Sequence, residues 1–288
     1  MAEILIRCDG AIGTVVISNL EKHNAMTMDM WRDLPARIAE LDADPAIVAI
    51  VLTGDGEQAF VSGADISQFE SQRADRQAQA RYGDIVDAAY LAPVRASKPV
   101  IAKIRGICMG GGLGLAAACD IRLCSLDARF RMPAGRLGLG YKPEGVNRFL
   151  SLIGVQNTYD IFFSARVFGA DDALRMGFVS QAVAADDLDE AVLHLAGAIA
   201  ENAPLTLKAV KLTVNAFLGT EPGPGGGGRL QRQRGLPRRG ARLRRKAQAG
   251  LSRTLAARRR PVLAVSRRCG PRSPSPRPGH ASRRPWSS

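Results

Sequence analysis

No two cysteines of this chain stand at CxxC spacing, and no histidine falls at metal-ligand spacing from one of them. The five thiols, Cys8, Cys108, Cys119, Cys124 and Cys269, form an odd set, so neither a disulfide framework nor a metal site is expected. Four of them lie in apolar segments and read as reduced, buried thiols. The first ten residues hold Glu3, Arg7 and Asp9 and lack the apolar stretch of a secretory signal. No run approaches the roughly 18 apolar residues that a membrane helix needs. These absences predict a protein without a membrane anchor in a reducing, cytoplasmic setting.

Acidic residues are missing from one end. Residues 221–288 hold 19 of the 40 Lys and Arg but a single acid, Glu221. Residues 1–220 therefore carry 21 bases against 26 acids, and the formal charge of +13 belongs to the tail alone. That distribution argues against nucleic-acid binding by the remainder of the chain. The tail also holds 9 of the 16 prolines and the run Gly225–Gly228, with no amphipathic period, which predicts disorder. It reads either as a basic arm for nucleic acid or membrane, or as a non-native segment translated out of frame from a GC-rich gene. We favour the second.

Between these limits the pattern is α/β. Ile4–Cys8 and Gly13–Ser18 alternate as paired strands around Asp9-Gly10. Met30, Trp31, Leu34, Ile38 and Leu41 recur at helical spacing over 27–42, with Thr27 as cap. Ile47–Leu52 and Pro99–Ile104 are continuous apolar runs, the mark of strands covered on both faces. A polar stretch, 67–83, predicts a surface helix or loop, and Ile85–Arg95 a helix. Gly111–Cys119 reads as a helix, Ile121–Cys124 as a strand, and helices follow over 146–153, 156–164, 170–176, 188–201 and 205–218. Strands alternating with helices argue for α/β architecture, and the repeat from Ile47 to Pro99 suggests a spiral. Periodicity alone does not separate that spiral from a doubly wound sheet.

Two glycine-rich turns, Ser62-Gly63-Ala64-Asp65-Ile66 and Gly110-Gly111-Gly112-Leu113-Gly114, each follow a short buried strand. Glycine permits close approach of the backbone, and the second turn opens a helix with its positive dipole end. Two free N–H groups converging on one point stabilise the charge that develops on a carbonyl oxygen. The pair resembles the thioester oxyanion hole of the crotonase (enoyl-CoA hydratase/isomerase) superfamily. The resemblance also rests on Glu21-Lys22-His23-Asn24-Ala25, on Ile47–Thr53 leading to Ala59–Ile66, and on Lys98–Ala102 through Gly106 to Gly110-Gly111-Gly112. Asp171–Leu174 through Gly177-Phe178-Val179 completes it, so that it spans about Glu3 to Leu218.

The resemblance implies a crotonase-like ββα spiral core over 1–200, the start of a helical C-terminal region over 201–220, and the tail from 221 as an appendage. It implies an acyl-CoA thioester as substrate, no metal and no cofactor apart from the coenzyme A of the substrate itself, and a homotrimer or hexamer. By position Ala64 and Gly111 would donate the two N–H bonds. Lys22, Ala64, Asp65, Ile66, Ser67, Gly110, Gly111 and Pro133 would line the substrate. Read from the residues alone, Asp65 is also a helix cap, Lys22 a solvated lysine and His23 a surface histidine.

The departures bear on the reaction. The hydratases of this family activate water and deliver a proton with two glutamates. One stands three residues after the oxyanion glycine, which here is Gly114; the other follows a proline, which here gives Pro133 then Ala134. Neither side chain transfers protons. Glu144 is the carboxylate candidate for isomerisation, or else an acid favoured by a helix N-terminus. Tyr141 stands in a context similar to methylmalonyl-CoA decarboxylase, where a tyrosine orients the departing carboxylate, or else it is a core or rim residue. An enzyme of the enoyl-CoA hydratase/isomerase family, a lyase or isomerase that stabilises a thioester enolate, is the reading adopted. A malonyl-type acyl-CoA decarboxylase is the alternative, and a catalytically silent acyl-CoA- or RNA-binding member is the rival of another class.

Overall fold

The computed structural model describes residues 1–65 and 76–219. Ile66, Ser67, Cys269 and the basic tail from 221 lie outside the described residues. Strands β1 (Glu3–Asp9) and β2 (Ile12–Ser18) form an antiparallel hairpin, and α1 (Met28–Ala43) follows, its cap Thr27 accepting the Met30 N–H at 3.3 Å. Three turns of strand, strand, helix come next. The first is β3 (Ala49–Gly54), β4 (Ala59–Val61) and α2 (Arg76–Arg95). The second is β5 (Val100–Ile104), β6 (Ile107–Met109) and α3 (Gly111–Ala118). The third is β7 (Ile121–Ser125), β8 (Arg129–Arg131) and α4 (Pro143–Tyr159). The chain closes with β9 (Val167–Gly169), α5 (Ala170–Arg175), β10 (Gln181–Val183), α6 (Leu188–Ala200) and α7 (Pro204–Phe217).

In each turn the first strand joins one sheet and the second joins another. The larger sheet has the order β1-β2-β3-β5-β7-β10 and the smaller β4-β6-β8-β9. This is the expected ββα spiral and not a doubly wound sheet. The larger sheet is covered on both faces. Ile50 and Leu52 of β3 face a core that includes Met30, Trp31, Leu34 and Ile38 of α1. Ala49 and Val51, with Ile101 and Leu123, face Leu188, Val192 and Ala196 of α6. That double cover is why β3 and β5 read as unbroken apolar runs.

Several boundaries differ from those the sequence predicts. The smaller sheet is built from strands of three residues, too short for alternation to show. The helices expected over 146–153 and 156–164 are both present within α4, which breaks at the non-helical Gly154 (φ +74°); the first starts earlier, at Pro143, and the second runs on through a wider π-type turn at Asp160–Ser164. Cys108, Cys119 and Cys124 are buried as expected, but Cys8 is exposed, because β1 is an edge strand with little covering its end. No helix among the described residues is long and apolar enough to cross a membrane.

Helix α7 is fastened by a buried charge. Lys211 Nζ donates to the Pro93 and Lys98 carbonyls at 2.7 and 3.0 Å and to Asp120 Oδ2 at 2.7 Å. The same carboxylate oxygen accepts the Val100 N–H at 2.7 Å. Asn215, one turn on, donates to the Val94 carbonyl at 3.0 Å. Removing one member of a buried pair leaves the other desolvated and unpaired, at a cost of about 3–5 kcal/mol. Lys211→Met is therefore expected to lower stability in urea unfolding by about that much, whereas a loss below about 1 kcal/mol would mean that α7 contributes little to the core.

Candidate active site

The turn after β2 is set by Asn24, which is 1 % exposed and lies in the left-handed region at φ +57°. Its amide donates to the Asp55 and Ala59 carbonyls at 2.9 and 2.8 Å, and its oxygen accepts the Asn19 N–H at 3.0 Å. These bonds lay residues 23–26 alongside the chain leaving β4. The Ser62 N–H then reaches the His23 carbonyl, the Met26 N–H the Gly63 carbonyl, and the Asp65 N–H the Met26 carbonyl, at 3.1, 2.8 and 2.9 Å. In a trans peptide the C=O and N–H point in opposite directions. Since the Gly63 carbonyl faces Met26, the Ala64 N–H faces away from it.

The second turn leaves the neighbouring parallel strand at the same end. Val61 of β4 pairs with Cys108 of β6, and a Cβ on Gly63 would lie 3.5 Å from the Met109 carbonyl. Gly110 holds φ +52° and ψ −115°, a conformation open essentially to glycine, and Gly63 holds φ +129°. The Gly110 N–H is tied to the Arg131 carbonyl at 2.9 Å, and its carbonyl accepts the Gly114 N–H at 3.1 Å. By the same peptide geometry the Gly111 N–H points out of the start of α3. Neither the Ala64 nor the Gly111 N–H meets an acceptor among the described residues. A Cβ on Gly112 would run into the Val61 carbonyl, so only glycine lets α3 seat this close to β4.

The far end of α3 is closed by two arginines. Arg122 donates to the Cys119 and Phe178 carbonyls at 2.7 and 2.5 Å. Arg148, from α4, donates to the Ala117 and Ala118 carbonyls at 2.9 and 3.1 Å. Burial pushes both guanidinium groups below their usual range, Arg122 to about 10. Cations at a helix C-terminus complement its dipole, whose positive end carries the Gly111 N–H.

One side of α3 packs against aromatic residues. The Tyr90 hydroxyl, on α2, donates to the Gly111 carbonyl at 3.3 Å, and its ring packs edge-on against Trp31 with centroids 5.6 Å apart. A Cβ on Gly114 would come within 3.0 Å of the Tyr90 ring and hydroxyl, so that phenol occupies the space a side chain there would need. Tyr141 is half-buried and packs edge-on against Phe162 at 5.2 Å. Burial raises the Tyr141 phenol to about 12 and holds Tyr90 well above its usual value. Pro133 approaches the Gly110 turn, a Cβ on Gly110 lying 3.7 Å from its ring, and Ala134 beside it is buried.

Glu144 is exposed in the first turn of α4. Lys22 pairs with the buried Asp65 at 2.8 Å, which binds the first turn to the second expected contact segment. His23 is exposed, at φ +51°. The structure thus brings together Ala64, Gly110, Gly111, Pro133 and Tyr141, while Glu144 stays on the surface. Sequence reasoning missed Tyr90, Trp31 and Asn24. Tyr90 falls within the helix predicted over 85–95, yet its approach to Gly114 is a tertiary contact that no local pattern signals.

Comparison with known proteins agrees with this architecture. A family model described as enoyl-CoA hydratase/isomerase matches residues 7–224. The chain is 32 % identical to the short-chain-enoyl-CoA hydratase of Clostridium acetobutylicum over 214 residues, 74 % of this chain and 80 % of that protein. It is 30 % identical to the peroxisomal Delta(3,5)-Delta(2,4)-dienoyl-CoA isomerase of Arabidopsis thaliana, covering 70 % of this chain and 77 % of the relative. The crystal structure of an enoyl-CoA hydratase/carnithine racemase from Magnetospirillum magneticum superposes with a TM-score of 0.75 at 30 % identity, over 92 % of this chain and 97 % of that one.

The packing of Tyr90 against Gly114 generates a direct test. Gly114→Ala is expected to cost about 1–3 kcal/mol in urea unfolding through overpacking. Combined with Tyr90→Ala it should cost less than the sum of the two single changes, by about 1 kcal/mol. Strict additivity would show that the phenol does not fill that space.

Proposed function

The chain belongs to the enoyl-CoA hydratase/isomerase family, and from that premise we propose that it acts on acyl-CoA thioesters, holding the thioester oxygen between the Ala64 and Gly111 N–H groups as an enolate forms. The observation that carries this reading is the pair of N–H groups without internal acceptors at the ends of two adjacent parallel strands. Each follows a glycine at positive φ. Donors fixed before reaction need no reorganisation when charge moves onto the oxygen, and each contributes about 3–4 kcal/mol of transition-state stabilisation. The start of α3 adds its dipole to the same point.

Double-bond isomerisation or hydration of an enoyl thioester is the reaction class that the family supports. With Gly114 and Ala134 at the positions of the family glutamates, hydration by two carboxylates has no side chains to run on. Glu144, the carboxylate expected for isomerisation, is exposed on α4, apart from the residues gathered around the two N–H groups. A second reading, decarboxylation of a malonyl-type thioester, draws on Tyr141, which is half-buried beside Tyr90. That reaction needs an oxyanion hole and an oriented carboxylate, and no base to begin it. Lys22, Asp65 and Pro133 would border the coenzyme A and acyl groups. The expected assembly is a homotrimer or hexamer.

Mass-spectrometric screening against 2-enoyl-, 3-enoyl- and malonyl-type CoA thioesters identifies the reaction. On whichever is turned over, Gly111→Pro removes one donor and is expected to lower kcat about 100- to 1,000-fold. Gly111→Ala keeps the N–H while bringing the same crowding against Trp31, whose ring would lie 3.0 Å from the added carbon. Equal loss in both variants would trace the effect to Trp31 and remove the support for the hole.

A further inference from the structure

We propose that Tyr90 is the group that exchanges a proton with the α-carbon of the bound thioester. The inference rests on the reading that the Ala64 and Gly111 N–H groups hold the thioester oxygen. The Tyr90 hydroxyl lies 3.3 Å from the carbonyl of Gly111, the residue whose N–H faces that oxygen, and 3.0 Å from the place where a Gly114 side chain would begin. It therefore stands where the family's hydratases carry a proton-transferring glutamate. No side chain on α3 competes with it, since Gly111–Ala118 contains no ionisable residue.

The donor inventory of this wall points the same way. Trp31 Nε1 is the only buried side-chain polar atom without a partner among the described residues. It lies on the indole edge that also carries Cζ2, the atom 3.0 Å from a Cβ on Gly111. Among the described residues it is the one buried donor of this wall left without an acceptor, since the Tyr90 hydroxyl donates to the Gly111 carbonyl. The groups that face Tyr90 are Tyr141, Tyr82 and Asp87, and Asp87 is itself paired with Lys142. Burial and these neighbours disfavour a phenolate on Tyr90 until an enolate is there to take its proton.

In the protonation direction the enolate's electron pair forms a new C–H bond at the α-carbon, and the Tyr90 O–H bond breaks to leave a phenolate. Water returns a proton to that phenolate and leaves as hydroxide. In reverse, the Tyr90 phenolate takes an α-proton and the C–H electron pair moves to the thioester oxygen. No oxidant or co-reactant other than water is required.

The test is exchange of the α-protons of butyryl-CoA in D2O, followed by NMR on the full chain with the enzyme-free rate subtracted. The wild type should exchange, with a rate that climbs about tenfold per pH unit between pH 7 and 9 as the phenolate fraction grows. Tyr90→Phe keeps the ring against Trp31 and should slow exchange by about 100-fold or more without weakening butyryl-CoA binding in calorimetry. Tyr82→Phe should leave it intact. Exchange unchanged in Tyr90→Phe, lost instead in Tyr82→Phe, or missing from wild type with butyryl-CoA bound overturns the proposal. Loss in Gly111→Pro alongside unchanged exchange in Tyr90→Phe would reject Tyr90 and leave the oxyanion hole standing. Persistence in both variants rejects both assignments.

Discussion

The close seating of α3 on the end of β4 is the constraint on which the site depends. It requires the glycine at 112, because a side chain there would meet the Val61 carbonyl. Once the helix is seated, the parallel pairing of β4 with β6 places residues 62–65 and 110–111 at one end of the smaller sheet. Hydrogen bonds to residues 23–26 then fix which way each peptide faces. The site is thus a property of backbone placement more than of side chains. This is why it can persist while the proton-transferring residues of relatives are replaced by Gly114 and Ala134.

The electrostatics of the site divide into a fixed part and a replaceable part. Charge is kept at a distance: Arg122 and Arg148 close the C-terminal end of α3, and Lys22 is neutralised by Asp65. Near the two N–H groups the chain offers phenols, an indole and small apolar side chains. A low-dielectric neighbourhood strengthens the pull of backbone dipoles on a developing anion. It also raises the cost of any charge that belongs to the protein itself, which favours phenols over carboxylates on the aromatic wall.

Much of the scaffold was legible from residue order. The helical spacing from Met30 to Leu41 behind Thr27, the two-faced runs at β3 and β5, and the glycines at 63 and 110–112 each carry a local physical signature. In the smaller sheet β4 and β6 are marked by the glycine turns that follow them, whereas the three-residue β8 and β9 carry no such mark and went unseen. The break at Gly154 was legible, since a glycine at positive φ ends one helical segment before the next begins. Cys8 was misjudged because an apolar neighbourhood in sequence does not reveal an edge strand. Tyr90 was passed over because its significance lies in what sits 24 residues away at Gly114, not in its own helix.

The two arginines at the end of α3 have a mechanical consequence. A helix of eight residues is a rod about 12 Å long. Its first turn packs against the Val61 carbonyl, and its last is held through the Ala117, Ala118 and Cys119 carbonyls by guanidinium groups from β7 and α4. A rod of about two turns has little middle to absorb a strain, so the arginines that hold its last carbonyls also help to set where the Gly111 N–H stands at its other end.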